Sequence, residues 1–494
     1  MRSPFGVLRL DGAFSRRYAQ RVHKALSSQR TPELGQLLLV AIALVAPAQA
    51  ADWPTFQHDN RRSGVTSEQL TMPLKEAWNY QSAIPPQTAW TAPAKWDAFS
   101  GNKGLQSMRN FDPAFYVTAT EDSVFFGSSV TNSTHCLDAT TGKERWTFVT
   151  GSAVRIPPTL DPEKASAWFG SDDGYIYCVD SGTGELKWKH TPVTKPRWIP
   201  SNGKLISPWP VRTGVMVQDG VAYYGASLVP WDSSFLVAVG ADEGSPRFVR
   251  EHSGMTLQGA LLASADHLYA PQGRSAPLQF AIADGNMLGA LGGSGGVYCI
   301  LTDDDKFIAG PDSQKEAEDV VRVSDASGRQ SILSISGSNR ILISGKAAYL
   351  HKGREITALD RERYFALQTE KNVISEQLAA LEKQIKKLKE SATQSTLDEL
   401  TAKEAEGKAK VAQLTAEQEK CYTWSISSQS IPFGFMLAGE TLFIGGENSV
   451  RACDAETGRS LWEAPVSGKA YGLAAAGGRL YVSTDSGFIY CFQP

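Results

Sequence analysis

Short apolar runs recur along most of the chain, each closed by a glycine or followed by an aspartate turn. Ser123–Gly127, Ala167–Gly170, Val221–Gly225 and Thr441–Gly445 are examples. Their length, their β-branched and aromatic content and the absence of a helical period between them predict antiparallel strands joined by tight turns. A motif follows several of these runs. HCLDATTGKERW (135–146), YCVDSGTGELKW (177–188) and RACDAETGRSLW (451–462) align without a gap. Each carries an Asp, a Gly four residues on and a Trp eight residues on: Asp138/Gly142/Trp146, Asp180/Gly184/Trp188 and Asp454/Gly458/Trp462. The first two copies stand 42 residues apart, which is the period of a propeller blade. Weaker copies run from Val239 through Gly244 to Phe248, from Ile282 to Gly285, and from Asp325 to Gly328.

The chemistry of the motif is local. The Asp starts a turn by accepting from nearby backbone N–H groups. The Gly supplies the positive φ that the turn needs. The Trp buries a large ring between neighbouring blades. These residues are therefore expected to hold blades together rather than to bind a ligand. With four strands to a blade, the pattern predicts an all-β, eight-bladed β-propeller. The last blade lacks its outer strand, because the chain stops at Pro494. Leu74–Tyr80 reads as that missing strand, with Trp78 as its docking tryptophan, so that both chain ends close the ring and remove a sheet edge.

One stretch departs from the pattern. Residues 361–420 have no Pro and are rich in Glu, Lys, Gln, Ala and Leu. Ile374, Leu378, Leu381, Ile385 and Leu388 form a heptad seam. After a polar break at Ser391–Thr396, a second helix carries Leu397, Leu400, Val411 and Leu414, with Glu404 and Gly407 expected to weaken its middle. This predicts an antiparallel coiled-coil hairpin inserted in blade six, with arms of roughly 40 Å.

The motif resembles that of the pyrroloquinoline-quinone (PQQ) repeat propellers, over roughly residues 53–494 apart from the insertion. Asp52-Trp53-Pro54-Thr55-Phe56 through Arg62-Ser63-Gly64 also looks like the opening of secreted bacterial members of that family. The resemblance implies one of two roles. Some members are periplasmic quinoprotein dehydrogenases; another is the non-enzymatic scaffold of outer-membrane protein assembly. The dehydrogenases hold PQQ against a disulfide between adjacent cysteines, with a tryptophan and a calcium site. This chain has no adjacent cysteine pair, so no cofactor is expected, PQQ with calcium being disfavoured.

Residues 1–50 read as a signal peptide. A basic stretch precedes the apolar run Leu37–Val45, which is too short to span a bilayer and ends in Ala48-Gln49-Ala50. The mature chain, residues 51–494, is expected in the periplasm or outside the cell, with no transmembrane segment. A formal net charge of −3 gives no sign of a nucleic-acid partner.

Export permits disulfides, but Cys136, Cys178, Cys453 and Cys491 occupy equivalent places in different blades. Facing sheets lie about 10 Å apart, too far for a bridge, so all six cysteines, Cys299 and Cys421 included, are expected as free thiols. No spacing predicts a metal site, and Asp303-Asp304-Asp305 reads as a solvated hairpin turn. The remaining candidate is an anion site at the channel mouth. Arg155 and Arg212 both stand just before the innermost strand of a blade, Arg109 is placed similarly, and Trp209 lies beside them. The function expected from the chain is a non-catalytic envelope binding or scaffold protein, with a protein partner held through the hairpin. The alternatives are a quinoprotein-like oxidoreductase with an altered cofactor site and a carbohydrate- or polymer-binding propeller.

Overall fold

The apolar runs form strands that are buried almost along their whole length, while the Trp-bearing runs alternate half-buried and exposed. In the first sheet, Val117–Ala119, Ser123–Ser128 and Ser133–Asp138 are buried almost throughout, whereas Glu144–Val149 is mostly exposed. The first three strands are therefore interior and the fourth forms the rim. The computed structural model describes residues 51–90, 111–273, 275–292, 296, 298–310, 320–326, 330–388, 393–428 and 431–494. The predicted signal peptide and Arg109 lie outside the described residues.

Among the described residues there are six four-stranded sheets in chain order, spanning 117–149, 159–190, 216–252, 262–290, 298–336 and 341–427. Each is an up-and-down antiparallel meander. Ile199–Ser201 and Lys204–Ile206 form a two-stranded ribbon, and an eight-stranded sheet holds the remaining strands, including the N-terminal Val65–Thr66 and Lys75–Gln81. Its 17-residue strand, Ser460–Ala476, pairs through its first half with Glu447–Asp454 and through its second with Arg479–Thr484. Lys75–Gln81 pairs antiparallel with Phe488–Gln493, Trp78 lying opposite Cys491. The architecture is a β-propeller.

The N-terminal segment crosses the middle of this array. Trp53 bridges to Ala119, and the carbonyls of Pro54, Asn60, Arg61 and Gly64 accept from the N–H groups of Leu160, Ala263, Leu301 and Leu437. Asn60 donates to the Val217 carbonyl at 2.9 Å. One stretch of a dozen or so residues thus meets the C-terminal ends of the first strands of six meanders. Such strands converge only around a propeller axis, so this segment closes one end of the central channel. Arg62 is its hub: Nε donates to the Leu261 carbonyl, and Nη1 to Thr55 Oγ1 and to the Phe56 and Asp59 carbonyls. Full burial pushes its pKa down to about 10 against the pull of Asp59.

Two helices interrupt the sheet of residues 341–427, between its third and fourth strands: α1 (Arg361–Leu388) and α2 (Gln394–Glu419). They pack together in opposite directions, with Arg363 bonded to Glu417 at 2.8 Å and Lys410 near Glu370 at 3.4 Å. Gly407 does not weaken the pair as expected. A Cβ there would stand 2.6 Å from Leu378, so the glycine is what lets the helices approach. The base of α1 is anchored by Phe365, buried in an apolar cluster with Leu333, Ile335 and Leu350, and by Arg361, bonded to Asp304 at 2.8 Å. No described helix is long and apolar enough to cross a membrane.

Candidate functional site

The repeated motif divides its work between two neighbours. Asp138 Oδ1 accepts from the N–H groups of Thr140 and Thr141, and the Asp138 carbonyl accepts from Gly142, whose φ is +68°. Asp180 with Gly184 and Asp454 with Gly458 build the same turn. The glycine is then covered by a tryptophan from the preceding meander, not from its own. Trp78 lies over Gly142, Trp146 over Gly184, Trp188 over Gly244 and Trp424 over Gly458, each so close that a Cβ would meet the ring within 2.8 Å. Each indole N–H also donates to a turn carbonyl: Trp78 to Ala139, Trp146 to Ser181, Trp188 to Ala241 and Trp424 to Ala455. Trp462 donates to Leu74, at the approach to the closing strand.

Arg155 and Arg212 stand at the opposite ends of the inner strands from the closing segment, in the loops before Thr159–Asp161 and Met216–Gln218. The structure brings them together on one carboxylate. Arg155 Nε donates to Asp172 Oδ2 at 2.7 Å, and Arg212 holds Asp172 through Nε at 2.9 Å and Nη2 at 3.0 Å. Arg155 Nη1 also donates to Asp112 and to the Gln87 carbonyl. Asp112 in turn accepts from the Ala89 N–H through both oxygens. The Asp172 side chain is 0% exposed and that of Arg212 1%. Burial opposes ionisation of Asp172, but the Arg155 and Arg212 charges win and hold its carboxyl below the usual range. For Asp112 burial dominates over Arg155 and pushes the carboxyl up.

The two arginines expected at the channel mouth are thus buried and ion-paired through Asp172 and Asp112. Asp172 comes from the Ser171-Asp172-Asp173-Gly174 turn, which closes because the Gly174 N–H reaches Ser171 with Gly174 at φ +88°. The turn is legible in the sequence; its burial between two arginines is not. Trp209 does not join the pair. It packs edge-on to Phe235 beneath the Arg197 guanidinium, which lies 5.5 Å from its ring. The aromatic beside Arg212 is Trp90, also at 5.5 Å, which the sequence reading passed over together with Asp112 and Lys204. Above the arginines lies a cavity of about 310 Å³, walled by Pro86–Ala89 and by the two-stranded ribbon of Ile199–Ser201 and Lys204–Ile206.

Asp303 and Asp304 lie in a turn and pair with Arg61 and Arg361, so part of that acidic cluster ties neighbouring elements together. All six cysteines are buried and unpaired, and Cys136, Cys178 and Cys491 sit opposite the docking tryptophans of their own sheets. Among the described residues, no three His, Cys, Asp or Glu side chains are gathered so as to hold a metal ion.

A family model described as outer membrane protein assembly factor BamB matches residues 86–196 and 405–494. No curated protein matches the chain by sequence. Among solved structures, a quinohemoprotein alcohol dehydrogenase from Pseudomonas putida HK5 is similar at 11% identity, over 90% of this chain and 80% of that one, with a TM-score of 0.54. A europium-containing methanol dehydrogenase is similar at 10% identity, over 90% and 98%, with a TM-score of 0.54. The computationally designed Ika8 protein is similar at 10% identity, over 78% and 96%, with a TM-score of 0.52. At these identities the likeness bears on the fold alone.

Proposed function

We infer that this chain, a distant relative of the PQQ-like β-propellers, is a non-catalytic binding scaffold of the cell envelope. On this reading the propeller has eight blades. Six are the four-stranded sheets, and two share the strand Ser460–Ala476, the last being completed by Lys75–Gln81. Residues 1–50 direct export and are removed.

The observation that carries the reading is the helical pair. Helix α1 has 28 residues and α2 has 26, so each arm runs about 40 Å. Of the buried side chains, Arg361, Phe365, Leu414 and Gln418 lie at the base, and Leu400 lies toward the tip. Farther out, Ile374, Leu378, Leu381, Ile385 and Leu388 remain only half-buried although they form the seam. A rigid two-helix coiled coil with an incompletely covered seam suits docking of a partner helix. The partly matching family model supports a scaffold role as well, since it is named for an assembly factor.

A quinone cofactor held on a cysteine disulfide does not fit these residues. The cysteines are unpaired, and four of them, Cys136, Cys178, Cys453 and Cys491, lie on different strands of the array.

The test is excision of the distal hairpin. Phe365 and Arg361 belong to the core, so the cut is placed at residues 376–410, replaced by a short Gly/Ser turn. The variant should keep the wild-type melting curve and lose the envelope proteins captured by cross-linking to the intact chain. A variant that keeps every cross-linked partner removes the hairpin from the function.

A further inference from the structure

The cavity above the arginines has an unbalanced lining. Among the described residues three cations border it, Arg155, Arg212 and Lys204, and no carboxylate does. The balancing groups, Asp112 and Asp172, lie behind the guanidiniums, with side chains 2% and 0% exposed. Each arginine spends part of its fork on them. Arg155 uses Nε and Nη1, and Arg212 uses Nε and Nη2. Nη2 of Arg155 and Nη1 of Arg212 have no acceptor among the described residues, although both side chains are more than nine-tenths buried. Both arginines line the cavity.

Lys204 completes the arrangement from the wall. Among the described residues its ammonium donates to two neutral oxygens, the Asn132 side chain at 2.7 Å and the Val130 carbonyl at 3.1 Å. Burial, and then the neighbouring Arg155 charge, push its pKa down. Three positive groups therefore face one partly enclosed space with two carboxylates on the far side. With both carboxylates ionised, one positive charge remains uncompensated. The neutral residues Gln87, Thr88, Ser201 and Asn202 line it as well, beside the apolar Pro86, Ala89 and Ile206. A guanidinium locked by a carboxylate behind it is a preorganised donor, because its orientation no longer has to be ordered on binding. The volume, about 310 Å³, lies at the small end of ligand-binding cavities.

We propose that this cavity binds a small oxyanion, a phosphate or carboxylate group, whose oxygens accept from Arg155 Nη2, Arg212 Nη1 and Lys204 Nζ. The inference does not depend on the hairpin or on the scaffold reading. The ligand would sit at the ends of the inner strands opposite the Trp53–Thr66 segment.

The test is titration calorimetry of the mature chain at low ionic strength, with inorganic phosphate and succinate as separate probes and chloride as control. Saturable binding of at least one probe is expected, weakening as salt screens the charges. The arm that binds more tightly tells phosphate from carboxylate. Lys204→Gln lies on a surface ribbon outside the buried network, so it should fold normally and bind at least about tenfold more weakly, the weight of one charge-assisted hydrogen bond. Arg212→Lys keeps the charge but loses the fork and should weaken binding similarly if it folds. Two results would each overturn the proposal: no saturable heat with either probe, or a folded Lys204→Gln protein that binds like the wild type.

Discussion

The contact between Trp78 and Gly142 joins the chain's N-terminal rim strand to the first sheet, and its cost can be worked out term by term. Trp78 is 9% exposed, and its indole N–H donates to the Ala139 carbonyl at 2.9 Å. Trp78→Ala removes a nearly buried ring and should cost about 3–5 kcal/mol. Gly142 has φ +68°, and an added Cβ would stand 2.6 Å from two atoms of the ring. Gly142→Ala therefore has two terms. Left-handed backbone in a non-glycine residue costs about 1–2 kcal/mol, and pushing the indole aside costs about 1–3 kcal/mol more. In the double variant the ring is gone and the second term vanishes. The double variant should thus be more stable than the sum of the singles predicts by about 1–3 kcal/mol. Gly220, at φ +73° with nothing within 4 Å of its would-be Cβ, isolates the backbone term, and Gly220→Ala should cost only about 1–2 kcal/mol. The assay is urea denaturation followed by far-ultraviolet circular dichroism, since the 12 tryptophans make fluorescence ambiguous. If the two costs add to within about 0.5 kcal/mol, the ring and the glycine do not meet and this account of blade docking is wrong.

The buried Asp172 and the thiols give two further expectations. Asp172→Asn leaves two buried guanidiniums short of a counter-charge and should cost about 3–5 kcal/mol in the same denaturation assay; a loss below about 1 kcal/mol would mean that the network is not a structural unit. Because the Arg155 and Arg212 charges, against burial, hold the Asp172 carboxyl below its unfolded value of 3.8, its contribution is present above that pH and fades as pH falls through the lower folded value. Asp112, raised mainly by burial, works in the opposite sense and costs stability as pH rises above 3.8. Wild-type stability should therefore fall more steeply on acidification than that of Asp172→Asn, and parallel acid limbs would contradict the assignment. All six cysteines should react with a thiol reagent in denaturant without reductant, and almost none in the native state at pH 8, because burial pushes Cys136, Cys453 and Cys491 up to about 12 and Cys178 to about 11. Recovery of only four thiols would reveal a disulfide.

The local parts of this protein are written in its sequence. The Asp, Gly and Trp spacing specifies a turn, because an aspartate oxygen, a positive φ and a rim strand all act within a dozen residues. The seam from Ile374 to Leu388 specifies a helix for the same reason. The sequence also places Arg155 and Arg212 at matching points before their inner strands. What it does not contain is the identity of the partner across the ring. Trp146 covers the glycine of the next motif rather than its own, and Trp78 reaches Gly142, which belongs to the other end of the closed circle. Gly407 reads as a flaw in an isolated helix and becomes the contact point once Leu378 packs on it. The sequence does not name the partner of the two arginines; that is Asp172, from a turn between them in the chain, buried against both. Spacing and turn chemistry follow from neighbours along the chain. Burial and charge compensation follow from which strands the closed propeller brings side by side, and only the tertiary structure decides that.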